Sequence, residues 1–107
     1  MITADFIVNE IGDILGFKIS GHSGYNLNGD DIVCAAVSSA CYMAANTIID
    51  ILGIDAKVSV DNDGKMVLTV EKKDAFKCRD ILLGLKIHLI ALEEQYPENI
   101  NVNYAEV

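Results

Sequence analysis

The sequence predicts a single domain, residues 1–107, of the α+β class, in which a mainly antiparallel sheet packs against two long helices. The chain of 107 residues has the size of one ordinary domain. Short segments rich in β-formers flank two long apolar segments, in the order ββαββαβ. Hairpins separated by helices are typical of an α+β sandwich, and no repeat or linker interrupts the pattern.

The first two strands are predicted to form a hairpin. Residues 2–8 are rich in β-formers and mostly apolar at even positions, whereas residues 15–20 are apolar at odd positions. Turn-forming Asn, Gly and Asp residues lie between them. Residues 21–30 contain three glycines and two asparagines, which predicts a mobile loop.

The first helix is predicted at about residues 32–52. Asp30 or Asp31 is the expected N-cap, and Gly53 is the expected stop. The helix is apolar nearly all round, and such a helix is normally buried on several sides. In so small a domain, we expect a second subunit to supply part of that burial.

The second half of the chain contains a further hairpin and a further helix. Strands are predicted at residues 56–60 and 65–70, because the turn residues 61–64 between them read Asp-Asn-Asp-Gly. Asp74 is expected to cap a helix at residues 75–95, and Pro97 lies just beyond its end. A short last strand is predicted at residues 101–104.

Composition narrows the possible functions. The formal net charge of −8 argues against direct nucleic-acid binding, which requires Lys and Arg to meet phosphates. The same charge would attract a basic partner, or it only keeps the protein soluble. No run of 18 apolar residues and no basic-then-apolar N-terminus is present, so we expect a cytoplasmic protein with no membrane span and no signal peptide.

Three cysteines are present, Cys34, Cys41 and Cys78, and their odd number and spacing argue against a disulfide framework or a zinc knuckle. Cys34 is predicted to lie in the first turn of the first helix, directly after the glycine-rich loop. The unpaired N–H groups and the helix dipole there favour a thiolate, which is the nucleophilic form. The same N–H groups can bind the oxyanion of an acyl-transfer intermediate.

The two histidines receive different interpretations. His22 ends the second strand and begins the loop that leads back to Cys34, so it is the candidate general base. His88 lies within the second predicted helix and is interpreted as a core-edge or solvent-facing residue.

Three residues around Cys34 are also interpreted. Asp31 is expected to cap the helix with its charge turned towards the backbone. Ser38 lies four residues after Cys34 on the same helix face, where it either orients the substrate or the dyad, or bonds back to a helix carbonyl. Cys41 lies near that face and is interpreted as packing.

The signature of the ribosomal-processing cysteine protease family resembles two segments of this chain, GHSGY at residues 21–25 and GDDIVCAAVS at residues 29–38. Asn46 also fits the family pattern, and the resemblance extends over essentially the whole chain. Ser23 departs from the pattern, since the family has an alanine after the Gly-His pair. The departure does not touch Cys34 or His22.

This resemblance implies a cytoplasmic, homodimeric bacterial endopeptidase with Cys34 as nucleophile and His22 as base. Its substrate would be the precursor of a basic large-subunit ribosomal protein, number twenty-seven in that series, from which it removes a short N-terminal extension. No cofactor or metal is implied. Gly21 would support the site, and the loop between Gly24 and Gly29 would close over the substrate as a lid.

Other functions remain open at this point. A non-catalytic ribosome-assembly factor could bind a basic ribosomal protein through an acidic surface. A redox-sensing thiol protein lacks a clear resolving cysteine beside Cys34. A Cys-His metal site lacks two further ligands at suitable spacing.

Overall fold

The structure is a computed structural model that describes the backbone of residues 1–21 and 30–107 and the side chains of residues 1–21 and 32–107. Its five strands and two helices follow the chain in the predicted order. Their bounds are β1 Ile2–Val8, β2 Ile14–Ser20, α1 Asp30–Asn46, β3 Lys57–Val60, β4 Met66–Thr69, α2 Ala75–Gln95 and β5 Ile100–Glu106. A π-helical turn, Thr47–Ile51, extends α1, and a 3-10 turn, Lys72–Asp74, precedes α2.

The five strands form one sheet in the order β3-β4-β2-β1-β5. β1 pairs antiparallel with β2, β2 with β4, and β4 with β3, whereas β5 lies parallel to β1. The parallel pairing is possible because α2 carries the chain back across the sheet before β5 begins. The predicted α+β class with a mainly antiparallel sheet is therefore confirmed.

One face of the sheet is buried under the two helices, and the other carries mostly polar or half-buried side chains. The alternation along β1 explains this division, because Ile2, Ala4 and Phe6 are buried whereas Thr3 and Asp5 are not. The other strands and both helices complete a single core. Its largest fully buried side chains are Phe6, Phe17, Ile19, Ile48, Leu68, Leu82, Leu85, Leu89 and Ile100.

The apolar residues of α1 and the π-helical turn lie on two different surfaces, one buried in the core and one exposed. By length and composition alone, Ile32–Ile51 could cross a membrane. One side of it supplies core residues of this domain, including Val37, Cys41 and Ile48. The other side leaves Met43 and Ile51 exposed. A core helix passes the same compositional test, so apolarity does not make this segment a membrane span.

The start of α2 corrects one prediction. Asp74 immediately precedes the helix, as expected, but its side chain makes no capping hydrogen bond. The 3-10 turn is the reason: the N–H of Asp74 donates to the carbonyl of Glu71, and the N–H of Ala75 donates to that of Lys72. These donors already have partners when α2 begins, so a side-chain cap is not needed for them.

Candidate active site

The predicted site residues fall into two groups. Gly21, Cys34 and Ser38 are described, and only the backbone of Asp31 is. His22 lies outside the described residues, as do Gly24, Gly29 and the lid predicted between them. The pairing of His22 with Cys34 therefore remains a prediction.

Gly21 fixes the point at which β2 ends. Its φ of +90° is a conformation that residues with side chains rarely adopt. An added Cβ would overlap the carbonyl oxygen of Met1, which lies just before β1. The close backbone approach therefore requires glycine here. The role of Gly21 as a supporting residue of the site stays a prediction.

The start of α1 shifts the position of Cys34 relative to the prediction. The helix begins at Asp30 and not at about residue 32, so Cys34 is its fifth residue and starts the second turn. The helix N–H groups that lack an intrahelical partner belong to the first four residues. The prediction that Cys34 lies in the first turn is wrong by one position. The donors suited to an oxyanion lie one turn ahead of the thiol.

The capping role predicted for Asp31 is also wrong. Asp31 has helical backbone geometry, whereas an N-cap residue lies before the first helical residue. Acidic residues are favourable within the first helical turn as well as at the cap, which explains how both Asp30 and Asp31 are accommodated inside the helix.

Burial separates the three thiols. Cys34 is partly exposed and packs against the edge of the core, whereas Cys41 and Cys78 are buried, and none of the three is in a disulfide. Burial raises the pKa of Cys41 to about 12. Burial and the neighbouring Asp74 carboxylate also raise the pKa of Cys78, partly offset by Lys77. The interpretation of Cys41 as packing is confirmed, and Cys34 is the accessible thiol.

Ser38 lies one helical turn beyond Cys34 and is half-buried. With Ile19, Cys41, Tyr42, Gly64 and Met66 it lines a small cavity of about 20 Å³. Within the described residues, the Ser38 hydroxyl forms no hydrogen bond to a helix carbonyl, although Thr47 does so with Met43 at 2.8 Å. The alternative in which Ser38 bonds back to its own helix is therefore not supported.

Sequence reasoning missed Tyr42, which borders this cavity and is 47% exposed. Its spacing was a usable signal, because residues 34, 38 and 42 recur every four positions along one helix face. The sequence did not predict that Gly64 lines this cavity, because the β3–β4 turn and α1 are brought together only when the sheet forms.

The second histidine and the acidic residues offer no competing centre. His88 is solvent-exposed on α2, which confirms its interpretation. In the part of the chain that the structure describes, no three His, Cys, Asp or Glu side chains lie close enough to hold a metal ion.

An accessible cysteine near the start of a helix is the arrangement that a cysteine hydrolase requires for its nucleophile, and comparison with known proteins gives the class directly. A family model described as "Cysteine protease Prp" matches residues 1–101. The chain belongs to this family of cysteine proteases. It is therefore an enzyme, a cysteine protease, which decides against the non-catalytic alternative.

Two similar bacterial proteins belong to the same family by name. The ribosomal processing cysteine protease Prp of Staphylococcus aureus is 31% identical over 105 residues, which cover 97% of this chain and 99% of that protein. The Bacillus subtilis protein of the same name is 26% identical over 94 residues, covering 83% and 84% of the two chains.

The fold is also similar to that of crystal structures of the S. aureus protease. The complex with a substrate peptide has a TM-score of 0.89 and 29% identity, over 98% of this chain and 100% of the other. The complex with a covalently linked product peptide has a TM-score of 0.85 and 30% identity, over the same shares.

Proposed function

We propose that Cys34 is the nucleophile and His22 the general base of a protease that removes the N-terminal extension of large-subunit ribosomal protein number twenty-seven. The observation that carries the proposal is the accessibility of Cys34, since Cys41 and Cys78 are buried. The covalently linked product peptide in the similar S. aureus structure supports a covalent mechanism. The identity of the substrate rests on the family resemblance of the sequence.

The proposed chemistry proceeds through an acyl-enzyme. His22 takes the thiol proton of Cys34, and the sulfur attacks the carbonyl carbon of the scissile peptide bond. The tetrahedral intermediate collapses when His22 returns the proton to the leaving amine, which departs and leaves a thioester on Cys34. Water, deprotonated by His22, then attacks the thioester and releases the carboxylate product and the free thiol.

The residues around Cys34 support this chemistry in different ways. Backbone N–H groups of the first turn of α1 are the nearest unpaired helix donors for an oxyanion, and Asp31 lies within that turn. Ser38, half-buried one turn after Cys34, is suited to hold the substrate or the dyad through its hydroxyl. Gly21 directly precedes His22 in the sequence and has a backbone conformation that requires glycine.

The charge of the protein suits a basic ribosomal protein in the cytoplasm. The chain has 16 acidic and 8 basic residues, and opposite net charges accelerate encounter. The same balance disfavours an extended nucleic-acid surface, so we propose recognition of the precursor as a protein and not through RNA.

The exposed apolar residues beyond the site support a homodimer. The C-terminal half of α1 and the following π-helical turn expose Met43, Ile49, Ile51 and Leu52, and the edge strand β3, which comes next along the chain, exposes Val58 and Val60. Such a concentration on one small domain is typical of an interface between subunits. A second copy would supply the burial that the sequence of α1 predicts.

Dimerisation is tested by a matched pair of substitutions. Ile51→Glu places a charge in the apolar surface, whereas Ile11→Glu makes the same change at a comparably exposed isoleucine in the β1–β2 turn. In light scattering after gel filtration, we expect wild type and Ile11→Glu to be dimeric and Ile51→Glu to be monomeric. Monomeric wild type would contradict the proposal.

The proposed activity is tested by incubating the protein with the precursor ribosomal protein and determining product masses. We expect wild type to remove the N-terminal extension, and Cys34→Ala to remove none while its circular dichroism is unchanged. His22→Ala should lose at least about a hundredfold in kcat/KM, in line with general-base catalysis. Cys78→Ala is the control that should retain cleavage. Cleavage by Cys34→Ala would refute the assignment of the nucleophile.

A further inference from the structure

A basic cleft lies on the side of α2 that faces the β1–β2 turn. Its volume is about 390 Å³, and it is lined by three cations, Lys72, Arg79 and Lys86, and by two aromatic residues, Phe76 and Tyr104. Asp13, from the β1–β2 turn, also lines it. A cleft of this size and shape is suited to a small molecule and not to a long chain.

The charge in this cleft is opposite to that of the whole protein. The chain has only 8 basic residues against 16 acidic ones, yet five of the eight lie between Lys72 and Lys86. Arg79 pairs with its exposed neighbour Asp80 at 3.6 Å, and such surface pairs are weak. Within the described residues, neither Lys72 nor Lys86 forms an ion pair. These cations are therefore available to an anionic ligand.

The aromatic residues add a second requirement on the ligand. Phe76 is 86% exposed and Tyr104 is 55% exposed, although burial is the favourable state for such rings. The ammonium group of Lys86 lies 4.8 Å from the centroid of the Tyr104 ring. Exposed rings beside cations are the combination by which proteins stack a base and bind its phosphate.

The cleft lies away from the candidate active site. Val8, at the end of β1, and Ile14, at the start of β2, line it. Gly21, which leads towards Cys34, follows the opposite end of β2. Seven strand residues span roughly 20 Å, so a ligand in the cleft does not occupy the position of the scissile bond.

We propose that this cleft binds a free mononucleotide, with its phosphate held by Lys72, Arg79 and Lys86 and its base stacked on Phe76 or Tyr104. The anion requirement follows from the three cations, and the planar ring follows from the two exposed aromatic residues. Asp13 is the one carboxylate among the described lining residues, and its charge opposes the phosphate.

The proposal is tested by isothermal titration calorimetry of the full chain at low salt. The probes are adenosine and guanosine 5′-monophosphates, ribose 5-phosphate, inorganic phosphate and a glutamate-rich peptide. We expect saturable binding of the nucleotides, with ribose 5-phosphate about tenfold weaker because it lacks a base to stack. Absence of saturable nucleotide binding would overturn the proposal, and so would tighter binding of the acidic peptide.

Variants locate the binding. Lys86→Ala should lower the affinity for the nucleotides at least fivefold. Phe76→Ala should reduce the preference for nucleotides over ribose 5-phosphate. Asp13→Asn should raise the affinity for the phosphate compounds, because it removes a negative charge that repels the phosphate. Lys57→Ala, on the exposed strand β3, is the charge-matched control and should bind as wild type. Lys57 and Phe76 are exposed and Asp13 and Lys86 are half-buried, and thermal unfolding verifies the fold of each variant. Unchanged affinity in Lys86→Ala would place the ligand elsewhere and overturn the proposal.

Discussion

Two cysteines of α1, Cys34 and Cys41, have opposite environments. Cys34, in the second turn, is partly exposed at the edge of the core, whereas Cys41, seven residues later, is 1% exposed within it. Burial raises the pKa of Cys41 to about 12, which suppresses the nucleophilic thiolate. The reactivity of a thiol on this helix therefore depends on what packs against its turn, and not on the residue type alone.

Thiol labelling tests the comparison most strongly. With iodoacetamide near neutral pH, we expect Cys34 to be labelled and Cys41 to react about a thousandfold more slowly than an ordinary exposed thiol, because a pKa of about 12 in place of 9.0 reduces the thiolate fraction by that factor. Folding favours the neutral thiol of Cys41 over its thiolate, because burial raises its pKa. Cys41 should therefore gain reactivity only as the pH approaches 12. Peptide mass spectrometry measures each site.

Two controls make the labelling decisive. Cys34→Ala should show almost no labelling when folded and should react at Cys41 and Cys78 after denaturation. Equal native labelling of Cys34 and Cys41 would contradict the difference in burial.

A pair of glycine substitutions extends the comparison to the segments that flank α1. Gly21→Ala should lower the free energy of unfolding by about 2–4 kcal/mol, because a positive φ and an overlap with the Met1 carbonyl oxygen both oppose a Cβ. Gly53 has a φ of +67° but no atom within 4 Å of an added Cβ. Gly53→Ala should therefore cost only about 1–2 kcal/mol.

Urea denaturation of both variants measures the difference. An equal loss in the two would show that the backbone conformation alone matters at Gly21. The contact with the start of β1 would then have no separate effect.

The smallest expected effect concerns Ser38 and its neighbour Ser39. Ser38 is half-buried on the face shared with Cys34, whereas Ser39 is exposed and lines the groove between α1 and α2. Ser38→Ala should lower kcat/KM for the precursor about two- to tenfold, the effect of one hydrogen bond. Ser39→Ala should be unchanged. Equal activity of the two variants would remove Ser38 from the site.

Regular elements were predictable because their patterns are local. The alternation in residues 2–8 predicted β1 with the observed bounds, and the apolar stripe of residues 75–95 did the same for α2. The errors that concern site residues fell at the start of a helix, and β5 is longer than the predicted residues 101–104. At α1, two consecutive aspartates suit both a cap and a first turn, so the sequence alone did not distinguish a start at Asp30 from one near residue 32.

The α+β class, the order of the elements and the segment that carries the family signature, with Cys34 as the candidate nucleophile, follow from the sequence alone. The packing of the folded chain decides which thiol is accessible, that β5 lies parallel to β1, and that Arg79 and Lys86 share a cleft with Tyr104. The physical reason is distance along the chain. Periodicity and turn chemistry act between near neighbours, whereas burial and charge clustering depend on residues that meet only when the sheet and the helices pack together.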